Sequence, residues 1–130
     1  MYAEIYIRPV SKEQPLEEFA RRLFCRLGVA HFEERESPNY VEGRYFRSIA
    51  LGLEVVIAYA DAEGLGSYRF CVTLEAEQSA GHDASYLQDH AHTLARLLSQ
   101  HGWRCFVPDD VATVGGEHEG RVYEAHRDAR

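Results

Sequence analysis

The spacing of the hydrophobic residues changes from a period of two to a helical period within the first 28 positions of the chain. In MYAEIYIRPV, Ala3, Ile5 and Ile7 alternate with polar or aromatic residues, which predicts a β-strand with one buried face. In PLEEFARRLFCRLG the apolar residues follow helical spacing, with Pro15 in the first turn and Gly28 just past the end. A strand followed by an amphipathic helix indicates a sheet covered by helices.

The rest of the chain repeats these two patterns. The predicted segments are a short strand or extended arm within 29–39, strands within 40–50, 52–60, 67–77 and 103–107, and a second helix over 83–101. We summarise the order as β-α-β-β-β-α-β and predict an α+β two-layer sandwich. Its sheet is expected to be mixed but mostly antiparallel, with four to five strands and both helices on one face. Residues 1–114 are expected to form one domain, and residues 115–130 a mobile tail.

The charge balance is acidic. The 130 residues include 14 basic and 21 acidic side chains, a net charge of −7. Phosphate backbones attract basic surfaces, so nucleic acid is not expected as a partner, and a basic protein fits better. The chain has no apolar run of about 18 residues and no basic region followed by a long apolar block, which predicts a cytoplasmic protein without membrane contact.

Four of the seven histidines lie in or beside the second predicted helix. A helix binds a metal ion through ligands at i and i+3 or i+4. His90 and His92 instead point to nearly opposite faces, and His92 is expected on the solvent side with Gln88 and Arg96. We therefore predict surface histidines, with no metal and no cofactor.

No pattern in the sequence indicates catalysis. There is no GxSxG motif and no glycine loop that opens a helix to hold a phosphate. Cys25 lies within a helix and Cys71 on the polar side of a strand, and neither has a base at a suggestive spacing. Three widely spaced cysteines without a CxxC pair predict reduced thiols. We expect no catalytic residue and no enzymatic activity.

Acidic side chains concentrate in three places, in the segments FEERES, YADAEG and PDD. The candidate partner-binding residues are Glu33, Glu34, Glu36, Asp61, Glu63, Asp109 and Asp110. Surface charge that only maintains solubility would give the same composition. The functional alternative is a negative surface that recognises a basic protein by charge complementarity.

The segments NYVEGRYFRSIALGLEVVIAYADAEGLGSYRFCVTL and LARLLSQHGWRCFVPDD resemble small bacterial immunity-type proteins, which accompany secreted antibacterial toxins. The resemblance covers residues 39–75 and 94–110 and contains no catalytic motif. It implies a cytosolic, non-enzymatic protein that binds a cognate toxin and blocks its active site. It transfers no binding residue, because immunity surfaces diverge with their toxins.

A second class of function stays open. Tyr40, Tyr45, Tyr59, Tyr68 and Trp103 would line a pocket of a small ligand-binding domain or enzyme if they met on the sheet face that the helices leave uncovered. The same exposed aromatic face would also allow a homodimer.

Overall fold

The computed structural model describes residues 2–11, 13–50, 52–61, 65–76, 84–109 and 119–124. The strands in this part of the chain are β1 (Tyr2–Arg8), β2 (Glu33–Glu36), β3 (Arg44–Ala50), β4 (Leu53–Tyr59), β5 (Phe70–Ala76), β6 (Arg104–Pro108) and β7 (Gly120–Tyr123). The helices are α1 (Leu16–Arg26) and α2 (Ala84–Ser99), and Val41–Gly43 forms a short 3-10 turn.

The strands form one sheet in the order β2-β3-β4-β5-β1-β6-β7. All neighbouring strands are antiparallel. The predicted α+β class is therefore confirmed, but the prediction of a mixed sheet with four to five strands is wrong. The two edge strands have four residues each. β2 contains no apolar residue and β7 is too short to show alternation, so the sequence leaves a short strand as only one of two alternatives for 29–39 and does not predict β7.

The centre of the sheet has a familiar connection pattern. β1 and β4 are parallel to each other and separated by β5, while β5 and β6 are parallel and separated by β1. α1 and α2 lie in these two crossovers, which is the split β-α-β topology of a ferredoxin-like unit. The β2–β3 pair extends one edge of this unit and β7 extends the other.

Both helices pack on the same face of the sheet, as predicted. The buried positions of α1 include Leu16, Phe19 and Leu23, and those of α2 include Leu87 and Leu98. They share one core cluster with the apolar residues of the central strands. Neither helix in the described part of the chain is long and apolar enough to cross a membrane.

The strand β7 changes the surroundings of the second helix. Its Tyr123 hydroxyl lies 2.8 Å from His92 Nδ1, and Gln88 Nε2 donates to the Pro108 carbonyl at 2.8 Å. His92 is therefore half-buried, and its predicted solvent position is wrong, because β7 widens the sheet under α2.

β7 lies within the segment 115–130. The domain boundary at residue 114 stays a prediction, because 110–118 and 125–130 lie outside the described residues.

Candidate functional site

We call the face of the sheet that the two helices leave uncovered the open face. Its centre is buried although no described helix packs on it: Tyr6 and Ala58 are each 5% exposed and Cys71 is 9% exposed. Tyr6 and Cys71 form a second apolar cluster with Tyr68 and Phe106. Large aromatic side chains lying over small neighbours thus exclude water from the middle of this face.

A half-buried carboxylate, that of Glu4, lies beside this buried centre. Tyr6 Oη donates a hydrogen bond to Glu4 Oε1 at 3.2 Å, and Cys71 Sγ donates to Glu4 Oε2 at 3.5 Å. Burial raises the pKa of the Cys71 thiol well above its ordinary value, and the nearby Glu4 charge raises it further. Burial raises the pKa of Tyr6 as well. Both groups therefore stay protonated at neutral pH and support Glu4, and Cys71 is not a thiolate nucleophile there.

One end of the open face carries a row of four side chains, which we call the acid row: Tyr2, Glu75, Glu54 and Ile49. Tyr2 pairs with Glu75, Glu75 with Glu54, and Glu54 with Ile49. Tyr2 is 46% exposed and Ile49 is 44% exposed. Two opposed carboxylates are therefore flanked on both sides by accessible apolar surface.

The two central carboxylates of the acid row repel each other. Directly opposed residues place their Cβ atoms about 5 Å apart, and like charges in such a pair are destabilising. Glu54 Oε2 accepts an ion pair from Arg47 Nη2 at 3.4 Å. Glu75 is exposed and has no counter-ion among the described residues. The row thus keeps an unneutralised negative charge at the surface.

The predicted acids of β2 are largely neutralised within the protein. Glu33 Oε2 lies 2.8 Å from Arg35 Nη2 and 3.3 Å from Arg47 Nη1. Hydrogen bonding to Arg35, followed by the charge of Arg35, lowers the pKa of Glu33 below its ordinary value. Arg47 therefore bridges Glu33 and Glu54, and Glu33 contributes little net negative charge to this edge.

The other two acids of β2 differ from each other. Glu34 Oε1 lies 3.2 Å from Arg44 Nη1, in an exposed ion pair of the kind that contributes about 0–1 kcal/mol. Glu36 is exposed and forms no ion pair with any described residue. Of the three glutamates predicted on β2, only Glu36 thus offers a free negative charge.

The other described acids lie at different distances from β2. Asp61 is exposed just beyond the end of β4, two strand positions from β2 and at the end that carries Glu36. Asp109 is exposed just beyond β6, which stands five strand positions from β2, about 24 Å away at the usual spacing of strands. Glu63 and Asp110 lie outside the described residues. Asp109 is thus remote from the acids of β2, whereas Asp61 lies at the same end of the sheet as Glu36.

The five aromatic residues considered for a pocket are also separated. Tyr40 and Tyr45 stack on each other with ring centroids 4.4 Å apart. Tyr59 and Trp103 pack against the core under the helices, whereas Tyr68 belongs to the open-face cluster. Tyr59 and Tyr68 line one cleft, but Tyr40, Tyr45 and Trp103 are not part of its lining, so the five residues do not form one common pocket.

Sequence reasoning did not select Glu4, Glu54 and Glu75. Alternation places each of them on the polar side of its own strand, and that was the available signal. Their proximity depends on β5 lying between β1 and β4 and on the register of those pairings, which alternation does not specify. Among the described residues, no three His, Cys, Asp or Glu side chains form a group able to hold a metal ion.

Comparison with protein-family models, with curated proteins and with solved structures finds no match to this chain. The chemistry of the open face is therefore the basis for assigning a function.

Proposed function

We propose that this protein is a non-enzymatic binding protein whose acid row holds a basic surface of a cognate protein partner. The resemblance to immunity-type proteins suggests that the partner is an antibacterial toxin, which is neutralised in the cytoplasm by stoichiometric binding. The observation that carries the proposal is the opposed pair Glu54 and Glu75, of which only Glu54 has a counter-ion among the described residues.

Charge supports a basic partner. A lysine or arginine between Glu54 and Glu75 would remove the repulsion that the free protein bears. Complementary charge would also speed encounter and disfavour acidic competitors. The net charge of −7 favours the same class of partner at longer range.

The shape and composition of the row support a protein rather than a small molecule. Tyr2 and Ile49 give exposed apolar surface on both sides of the carboxylates, and tyrosine is enriched among residues that dominate binding energy in protein interfaces. The row runs across four neighbouring strands, a width of about 15 Å. This is a flat surface with a charged centre rather than a concave ligand site.

The first experiment is recovery of the partner from the native bacterium with the tagged full chain as bait, followed by calorimetric titration of the purified pair. We expect one basic protein bound at a 1:1 ratio, with affinity that falls as salt rises. The double variant E54K/E75K should lower the affinity about 100-fold, which corresponds to about 2.7 kcal/mol.

A matched control separates the acid row from net charge. E17K/E18K makes the same change of charge on α1, where Glu17 and Glu18 form exposed ion pairs with Arg21 and Arg22. This control should bind within about threefold of the unmodified protein. An equal loss in both variants, or no loss in either, would contradict binding through the acid row.

The toxin assignment has its own test. The recovered partner, produced alone, should arrest bacterial growth, and co-production of this protein should restore it. E54K/E75K should fail to restore growth, while E33K/E34K/E36K tests whether β2 contributes to the same interface. If the partner is harmless when produced alone, it is not a toxin and that assignment is refuted. The titration would still test whether the partner binds through the acid row.

A further inference from the structure

An open cleft of about 820 Å³ lies at the end of the open face opposite the acid row. It is bounded by the end of β1, the 3-10 turn and the chain that precedes β5. Its lining includes two arginines, Arg8 and Arg69, and two tyrosines, Tyr59 and Tyr68. The cleft therefore contains two positive side chains, although the whole chain has seven more acidic than basic residues.

Arg8 is held at two points. Its Nε donates to the Ser67 carbonyl at 3.3 Å, and its guanidinium carbon lies 5.5 Å from the centroid of the Tyr68 ring. The backbone acceptor fixes the direction of the group, and the ring stabilises its charge by a cation–π contact. Both Nη atoms of Arg8 have no protein partner among the described residues.

Arg69 is also held at two points, but its ring contact is Tyr59, which packs on the helix-covered side, whereas the Tyr68 ring belongs to the open face. The Nε of Arg69 donates to the Gln14 carbonyl at 2.9 Å, and its guanidinium carbon lies 5.1 Å from the centroid of the Tyr59 ring. Its Nη atoms also have no partner among the described residues. Two guanidinium groups are thus oriented in advance, each with its terminal donors unused, so little side-chain entropy remains to be lost on binding.

The surrounding charges do not neutralise these arginines. On the β6 side of β1, Arg8 is paired with Arg104. On the β5 side, the backbone N–H of Arg69 donates to the Ile7 carbonyl at 3.1 Å. Arg104 has its own counter-ion, Glu124. Arg8 and Arg69 form no ion pair with a described residue. Repulsion between these neighbouring positive charges therefore lowers the stability of the folded protein.

One carboxylate is present at the edge of the cleft. Glu42 belongs to the described lining and is exposed, but it lies beyond ion-pair distance of both arginines. The described lining therefore carries two positive charges against one negative charge, and the positive charges are the partly buried ones.

We propose that this cleft binds the oxyanion of a small molecule, a phosphate or a carboxylate, at the unused terminal donors of Arg8 and Arg69. The fork of N–H donors on a single guanidinium group matches two oxygen atoms of such an anion in a bidentate arrangement. A bound oxyanion would supply a direct counter-charge to Arg8 and Arg69, which form no ion pair with a described residue. The site is separate from the acid row, at the other end of β1, and does not depend on a protein partner.

The test is a titration of the isotope-labelled full chain with inorganic phosphate or acetate at constant ionic strength, with chloride as reference. Nuclear magnetic resonance follows the backbone amides and the arginine Nε–H groups. We expect saturable shifts confined to Ser67–Arg69, Arg8 and their neighbours, with a stronger response to the anion class that the site prefers. R8Q and R69K should each weaken the binding at least tenfold; R69K keeps the charge but loses the planar fork.

Two controls make the result decisive. R21Q removes an exposed arginine on α1, whose Nη2 lies 2.9 Å from Glu17 Oε1, and should leave the titration unchanged. E54K/E75K should leave it unchanged too, so failure of the acid row does not affect this outcome. Shifts that never saturate, that spread over the surface, or that are equal in R8Q and the unmodified chain would overturn the proposal. The unmodified chain provides the first two readouts even if a variant fails to fold.

Discussion

The two faces of the sheet are built from alternate residues of the same strands, but they differ in the chemistry of their buried side chains. On the helix-covered face, Ile5 and Val72 are fully buried among apolar neighbours. On the open face, the next residues along, Tyr6 and Cys71, are almost as buried but surround the carboxylate of Glu4. The first face is optimised for packing, whereas the second keeps polar and charged groups that stability alone does not require.

Because the helix-covered face contains the larger apolar core, we expect its side chains to contribute most of the free energy of unfolding. Phe19 is fully buried and stacks on Phe70 with ring centroids 4.3 Å apart. Replacing Phe19 by Ala should lower the free energy of unfolding by about 4 kcal/mol, through lost burial and a residual cavity. Chemical denaturation measures this effect. Cys25→Ala, at an exposed position of the same helix, should change it by less than about 0.5 kcal/mol, and an equal change in both would contradict the prediction.

Alkaline pH tests the buried thiol of the helix-covered face. Burial raises the pKa of Cys105 from 9.0 to about 12. The unfolded thiol therefore ionises above pH 9 while the folded one keeps its proton, so stability is full below pH 9 and falls as pH rises toward 12. This group alone should cost on the order of 2–3 kcal/mol at pH 11.

Denaturation curves at pH 8 to 11 measure that loss. Cys105→Ala should be less stable at pH 8 but should show a smaller decrease toward pH 11, because the linked proton is absent. Cys25→Ala, which removes an exposed thiol, serves as the control. Parallel pH dependence in the unmodified chain and in Cys105→Ala would be the contrary result.

The open face should respond more weakly when only a polar contact is removed. Tyr6→Phe keeps the ring within its cluster and deletes the hydroxyl that donates to Glu4. We expect the free energy of unfolding to decrease by about 1 kcal/mol, the usual contribution of such a hydrogen bond. Equilibrium denaturation in urea measures it, and no change at all would show that Glu4 finds another donor.

The smallest expected effect has the opposite sign. Glu75→Lys places a cation opposite Glu54 and converts a repulsive cross-strand pair into an attractive one. It should stabilise the free protein by about 0.5 kcal/mol at low salt, and the gain should shrink as salt rises. The same change should weaken binding of the proposed partner. A loss of stability would mean that the acid row is not under electrostatic strain.

Local pattern and tertiary structure contributed differently to the candidate site. Alternation correctly assigned Glu4, Glu54 and Glu75 to the polar sides of their strands, because a pleated strand exposes every second residue. In SYRFCVTLEAE, strict alternation puts Tyr68 on the same side as Phe70, yet Tyr68 lies in the open-face cluster, because β5 begins at Phe70 and the chain before it does not follow the pleat. The short strands β2 and β7 have too few apolar residues for any periodic signal.

The sequence by itself determined the two helices, the long strands, the α+β class and the side of β1, β4 and β5 that faces the helices, because these depend on the spacing of apolar residues along the chain. Only the tertiary structure decided which side chains meet. The order β4-β5-β1-β6 brings Glu54 beside Glu75 and sets Arg8 beside Arg104, contacts between residues far apart in the chain. Periodicity limits the register to pairings that keep the apolar side of each strand in the core, but it does not specify which strands become neighbours, because strand order depends on how the connections pack over the whole sheet.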